Sequence, residues 1–193
     1  MLKRASFAFG LACWAAVATT ADAAEVPPAM LSFIDGPAMD WVRDPQIAEA
    51  IIKQNAETAA LTEPEIIALD DKWRAEVGAH ATPTIDAVLH APLSAFLTQQ
   101  VEASGGQVTE VFVMDAKGLN VAASAVTSDY WQGDEAKYKN TFLKGPDAVF
   151  VDEVDFDEST QTYQGQVSFA ITDPATGAVV GAITIGLDAS AFF

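Results

Sequence analysis

Cysteine is almost absent. The chain of 193 residues holds one, Cys13, inside an N-terminal apolar run, so no disulfide framework is available to the rest. Histidine occurs only as His80 and His90. Neither belongs to a metal-ligand or catalytic spacing, and surface or packing roles are expected of both. There is no His-x-x-x-His pair, no nucleophile elbow and no phosphate-binding glycine loop. Cations are scarce as well: 10 basic residues face 27 acidic ones, a net charge of −17. That balance repels phosphate backbones and anionic bilayers, which argues against nucleic acid as a partner. Solubility is the plain reading of the acidity, and attraction of a cationic ligand is the sharper one. Beyond the N-terminus there is no apolar run long enough to span a membrane.

The N-terminus itself reads Met-Leu-Lys-Arg, then an apolar run from Ala5 to Ala18, then Thr19-Thr20-Ala21-Asp22-Ala23-Ala24. A basic start, an apolar stretch and an Ala-x-Ala site are the three parts of a secretory signal, with cleavage expected after Ala23. A membrane anchor is the competing reading, but the run falls short of the ~20 residues a spanning helix needs. Removing residues 1–23 takes away Lys3, Arg4, Asp22 and Cys13 and leaves 8 basic and 26 acidic residues, net −18. An exported chain without cysteine points to a periplasm, with no membrane insertion after cleavage. Residues 24–193 are enough for one domain with its own core.

Residues 24–40 carry Pro27, Pro28, Gly36 and Pro37 and read as a loose lead-in. Asp44-Pro45 can cap and open a helix whose apolar stripe is Ile47, Ile51 and Ile52, ending near Leu61. Thr62-Glu63-Pro64-Glu65 is a capping box, and the helix after it places Ile66, Leu69, Trp73 and Val77 on one face before Gly78. Thr82-Pro83 opens a third helix through Val101, kinked at Pro92 and stopped by Ser104-Gly105-Gly106. From there the period becomes strand-like. Strands are expected over 110–115, 119–124, 148–156, 163–172 and 179–187, the third with imperfect alternation. Turns fall at Asp115–Gly118, Asp157–Thr160 and Asp173–Gly177. Helices followed by antiparallel strands make an α+β layout. Between the second and third strands lies Thr127-Ser-Asp-Tyr-Trp-Gln-Gly-Asp-Glu-Ala-Lys-Tyr138, dense in rings and acids.

Taken in order, Glu110–Val121, Thr127–Glu135, Asp157–Thr160, Gln166–Asp173 and Gly181–Asp188 resemble a Cache-type extracytoplasmic sensor domain, a PAS-like fold also called a PDC domain. The resemblance covers roughly residues 84–190. It implies a long N-terminal helix lying along a five- or six-stranded antiparallel PAS-like sheet. It also implies a small-ligand pocket between the sheet and the segment joining its second and third strands, here residues 127–138. Amines, amino acids or small carboxylates are the implied ligands, with no cofactor and no catalysis. Most members of that family sit in membrane receptors. A cleavable leader and no output domain before Phe193 would make this chain hand its signal to a partner. The alternative is an interaction module with a vestigial pocket that binds a membrane receptor.

Candidate ligand contacts are Asp129, Tyr130, Trp131, Asp134 and Lys137, with Glu135 beside them. Ring faces attract a cationic head group, and a carboxylate beside them accepts its hydrogen bonds. Asp188, ending the last strand, is a further candidate by the resemblance. The plain reading keeps the rings in the core, the acids in solvent and Asp188 capping the final turn. Amino-acid-sensing members often carry an arginine shortly before a Trp-Tyr pair. Here Asp129-Tyr130-Trp131 stands in that place and no arginine follows Arg74, so Lys137 can offer only a point charge. The acids from Asp152 to Glu158 lack calcium-loop spacing, and a solvated edge suits them better. A hydrolase built on a carboxylate pair is the enzyme alternative, but nothing selects a pair.

Overall fold

A computed structural model describes residues 28–157 and 162–192. The expected leader, residues 1–23, and the turn after Asp157 lie outside the described residues. Helices come first: α1 (Pro28–Phe33), a π-turn (Ile34–Ala38), α2 (Met39–Val42), α3 (Pro45–Thr58), α4 (Glu63–Glu76), α5 (Pro83–Leu89) and α6 (Pro92–Ala103). The sheet follows, with β1 (Val108–Met114), β2 (Asn120–Ala123), β3 (Val149–Val151), β4 (Asp155–Asp157), β5 (Thr162–Thr172) and β6 (Val179–Asp188). A short α7 (Ala136–Lys139) sits between β2 and β3. The strands pair antiparallel in the order β2-β1-β6-β5-β3, and β4 pairs with the first part of β5. The fold is α+β, as the change of period predicts.

Local chemistry sets the helix starts. Asp44 accepts the Gln46 amide at 3.0 Å, and Pro45 fills the first turn where its missing N–H costs nothing. Glu65 reaches back to the Thr62 amide at 2.8 Å. Four expectations are corrected here. The lead-in over 24–40 is helical from Pro28, because Met30, Phe33, Ile34 and Ala38 are buried against the core. The long N-terminal helix implied by the resemblance is a series of pieces, broken at the π-turn and again at Arg43–Asp44. The third helix separates into α5 and α6, since Pro92 has no amide to continue the ladder. Ser94 repairs the break, donating to Val88 O at 2.7 Å and accepting the Ala123 amide at 3.0 Å. The third strand is likewise two short ones, β3 and β4.

The two faces of the sheet differ in chemistry. Residues directly opposite in an antiparallel pair share a face. One face carries the rows Val111–Ile185–Val167–Val151 and Val113–Ile183–Phe169–Val149. Ile47 and Ile51 of α3 and Leu93 and Leu97 of α6 close over it. Each such aliphatic side chain contributes about 1.5–3 kcal/mol by leaving water. The other face carries Phe112–Thr184–Ser168–Phe150, flanked by Met114–Ala182–Ala170 and Glu110–Gly186–Gln166. It is buried but half polar: Ser168 and Thr184 are both 0% exposed and hydrogen-bond each other at 2.9 Å. The 127–142 segment reaches this second face.

Candidate functional site

The buried stripe of α4 is Ile66, Asp70, Trp73 and Glu76, while Val77 faces solvent. An acid in the apolar stripe needs partners, and Asp70 finds three. Its carboxylate accepts the Tyr130 amide at 2.8 Å, the Trp131 amide at 3.0 Å and Arg74 Nε at 2.7 Å. Trp73 lies beside it and donates its indole N–H to Thr127 O at 2.8 Å. Its ring stacks on Tyr130 with centroids 5.4 Å apart. From the sheet, Asn120 donates to Thr127 Oγ1 and to Asp129 O at 2.8 and 3.1 Å. Residues 127–131 are therefore stapled between α4 and β2.

Tyr130 and Trp131 act inside that staple. Burial, then the nearby Asp115 and Glu57, push the Tyr130 phenol up to about 12. The Trp131 indole donates to Lys117 O at 2.9 Å, and its backbone bridges to Leu119. Gly118, at φ +80°, and Gly133 bring the β1–β2 turn and the segment into backbone contact. A Cβ on Gly118 would meet Gly133 Cα at 2.6 Å. Asp129 is buried as well. It accepts Gln132 Nε2 and lies 3.4 Å from Arg74 Nη2. Burial raises its pKa, Glu135 and Asp70 raise it further, and Arg74 and Lys137 pull it back.

The second half of the segment faces the polar side of the sheet. Lys137 leaves only 14% of its side chain exposed, pairs with Glu135 at 2.8 Å and holds Nζ 5.3 Å from the centre of the Phe112 ring. Tyr138 is buried against Phe112, Met114 and Ala182, stacks on Phe142 and donates to Ala116 O at 2.8 Å. α7 also packs on β5. Asp134 is exposed, and its carbonyl accepts Lys139. Asp188 lies apart from all of these. It caps the last 3-10 turn through Ser190 N at 2.9 Å and Ser190 Oγ at 2.6 Å. It stands six positions along β6 from Ala182, the partner of Met114, which is about 20 Å along a strand.

The structure thus gathers Asp129, Tyr130, Trp131, Glu135 and Lys137, leaves Asp134 at the rim and places Asp188 at the far end of β6. Sequence reasoning missed Asp70, Arg74 and the Phe112–Thr184–Ser168 row. The signal for Asp70 was its place four residues after Ile66 and three before Trp73. His80 and His90 are exposed, and among the described residues no cluster of three His, Cys, Asp or Glu is set to hold a metal. Three clefts among the described residues are lined by no residue of the 127–138 segment. One of about 690 Å³ runs from Asn140 to Phe150, one of about 400 Å³ lies at the start of α3, and one of about 180 Å³ lies by Asp152 and Gln166.

No family model and no curated protein matches the chain. Solved structures do. The sensor domain of the V. cholerae histidine kinase DctB matches 83% of this chain and 59% of its own, at 14% identity and a TM-score of 0.40. The sensory domain of the Campylobacter jejuni chemoreceptor Tlp3 matches 84% of this chain and 64% of its own, at 11% identity and 0.42. The ligand-binding domain of the Pseudomonas aeruginosa PAO1 amino-acid chemoreceptor PctC, solved with GABA, matches 65% and 52%, at 17% and 0.40. These neighbours are sensor domains. The chain spans about three-fifths of the length of the DctB and Tlp3 domains. Among the described residues no helix is long and apolar enough to cross a membrane.

Proposed function

We propose that this chain is an exported, non-enzymatic sensor domain, carried to the periplasm by residues 1–23, that binds a small amine, amino acid or carboxylate between its sheet and the 127–138 segment. The observation that carries this reading is Lys137. A lysine kept 14% exposed, over an aromatic ring and with one carboxylate partner, is costly unless its position is used. Beneath α7, the Phe112–Thr184–Ser168 row offers a ring and two hydroxyls on a buried floor. A ligand carboxylate would take Lys137 in place of Glu135, and a ligand amine would take Glu135 in place of Lys137. Phe112 supplies the apolar wall. Asp129 tunes the pair from behind through its charge. Tyr130 and Trp131 fix the height of the segment above the sheet, and Asp134 and Asp188 fall outside this smaller site.

The test is a thermal-shift screen of primary amines, amino acids and short carboxylates on the purified protein. A compound that binds only the folded state raises Tm as its concentration passes Kd. At about 100 times Kd the gain is about 2.7 kcal/mol, and Lys137→Met together with Glu135→Gln should abolish it. A compound that shifts Tm equally in that double variant would remove the site from under α7.

A further inference from the structure

A second cleft lies on the opposite face of the sheet, where β3 is too short to cover the start of α3. Its volume is about 400 Å³, within the range of small-ligand pockets. Ala48, Val149, Phe169 and Pro174 give it apolar walls. Val149 is 50% exposed there, although its cross-strand partner Phe169 is buried in the core at 2%. Two residues of opposite charge line it: Arg43 from the turn before α3, and Asp147 from the loop before β3. Neither makes a side-chain hydrogen bond or an ion pair among the described residues. Asp44, also at this cleft, is already occupied as the cap of α3, accepting Gln46 N. The helix end is thus spoken for, and the free charges are Arg43 and Asp147.

We infer that this cleft is a second small-molecule site for a zwitterion with an aliphatic chain, its carboxylate on Arg43, its ammonium toward Asp147 and its chain against Val149 and Phe169. Arginine presents a planar fork that takes a carboxylate through two hydrogen bonds, which lysine cannot. A simple anion is disfavoured, because Asp44 and Asp147 leave the rim net negative. A simple cation leaves the guanidinium unmatched. A net-neutral ligand with separated charges satisfies both residues at once. The α7 site is on the other face and shares none of the residues named here, so the two proposals stand or fall separately.

The experiment is titration calorimetry of the purified protein with norleucine, hexanoate and hexylamine. Norleucine should bind, and the two singly charged probes should bind at least about 10-fold more weakly, the scale of one charge-assisted hydrogen-bonded pair. Arg43→Gln and Asp147→Asn, both at exposed positions that leave the fold intact, should each weaken norleucine by about 10-fold or more. Val149→Trp should fill the cleft and remove binding. Lys137→Met should leave the affinity unchanged. Absence of norleucine binding, equal affinity for hexanoate, or affinity untouched by Arg43→Gln and Asp147→Asn overturns the inference. Binding lost in Lys137→Met and kept in Arg43→Gln overturns it while supporting the site under α7.

Discussion

Replacing Asp70 by alanine tests how the 127–131 segment is held. The substitution leaves two backbone N–H groups, at Tyr130 and Trp131, without their acceptor, and it leaves Arg74 with Asp129 as its remaining partner. A buried donor left unsatisfied costs about 1–3 kcal/mol. Both amides belong to half-buried residues, so the lower half of that range applies and the pair together costs about 2–4 kcal/mol. The Arg74 term adds little, because its side chain is 55% exposed and solvent screens it. Asp70→Asn keeps an acceptor for the amides and should cost about 1 kcal/mol. Urea unfolding of the wild type and both variants measures this. With m-values of about 1–3 kcal/mol/M, the alanine variant's midpoint should fall by roughly 1–2 M. Amide exchange at 130 and 131 should speed up in Asp70→Ala well before global unfolding. Equal stability of wild type and alanine variant, with protected amides at 130 and 131, would refute the staple.

Three further outcomes are expected. Gly181→Ala should fold poorly, because its Cβ would lie 2.2 Å from Met114 O and 2.9 Å from Ile51 Cγ2, a backbone clash costing about 3 kcal/mol or more; soluble yield and urea midpoint report it. In an ultraviolet pH titration the native protein should show a phenol ionising near 12, and Tyr130→Phe should remove it. Asp129 and Asp173 should impose opposite pH dependences. Asp129 is raised above its ordinary value, first by burial, so its contribution is full at low pH and is lost as pH rises through its folded pKa. Asp173 is lowered, first by the Ala175 amide, so its contribution is present at neutral pH and is lost as pH falls through its folded pKa. Across the acid range, the Tm advantage of wild type over Asp129→Asn should shrink with rising pH, and that over Asp173→Asn should grow. Matching slopes would show that one of the two environments is misassigned.

Much of the architecture was legible because its signals are local. Asp44-Pro45, Thr62–Glu65 and Asp115–Gly118 each carry the side chain that satisfies the neighbouring backbone, so α3, α4 and the β1–β2 turn follow from a few residues. The helical lead-in was not legible. Met30, Phe33 and Ile34 favour that conformation only once the sheet and Phe192 are there to bury them, and Gly36 and Pro37 argue locally against it. The break between β3 and β4 hid in the irregular alternation after Val151. At the candidate site, sequence supplied the segment and its charged residues without their division of labour. Asp70 and Arg74 stand four residues apart on α4, a spacing common to ordinary helix-surface pairs. That their third partner is the backbone of Tyr130 and Trp131, 60 residues later, is a fact of topology.

The place of β6 has a consequence for how this chain acquires its structure. It is late in sequence, yet it lies in the middle of the sheet and carries Ile183, Ile185 and Leu187 at the centre of the core. Until residues 179–188 are available, β1 and β5 have no common neighbour, and α3 and α6 have only part of a surface to cover. A chain emerging N-terminus first can form its helices early, but it must wait for residues 179–188 to close the sheet. Assembly is therefore governed by pairings between distant residues, which are slow to form. The sheet stays open between β1 and β5 until β6 has been made.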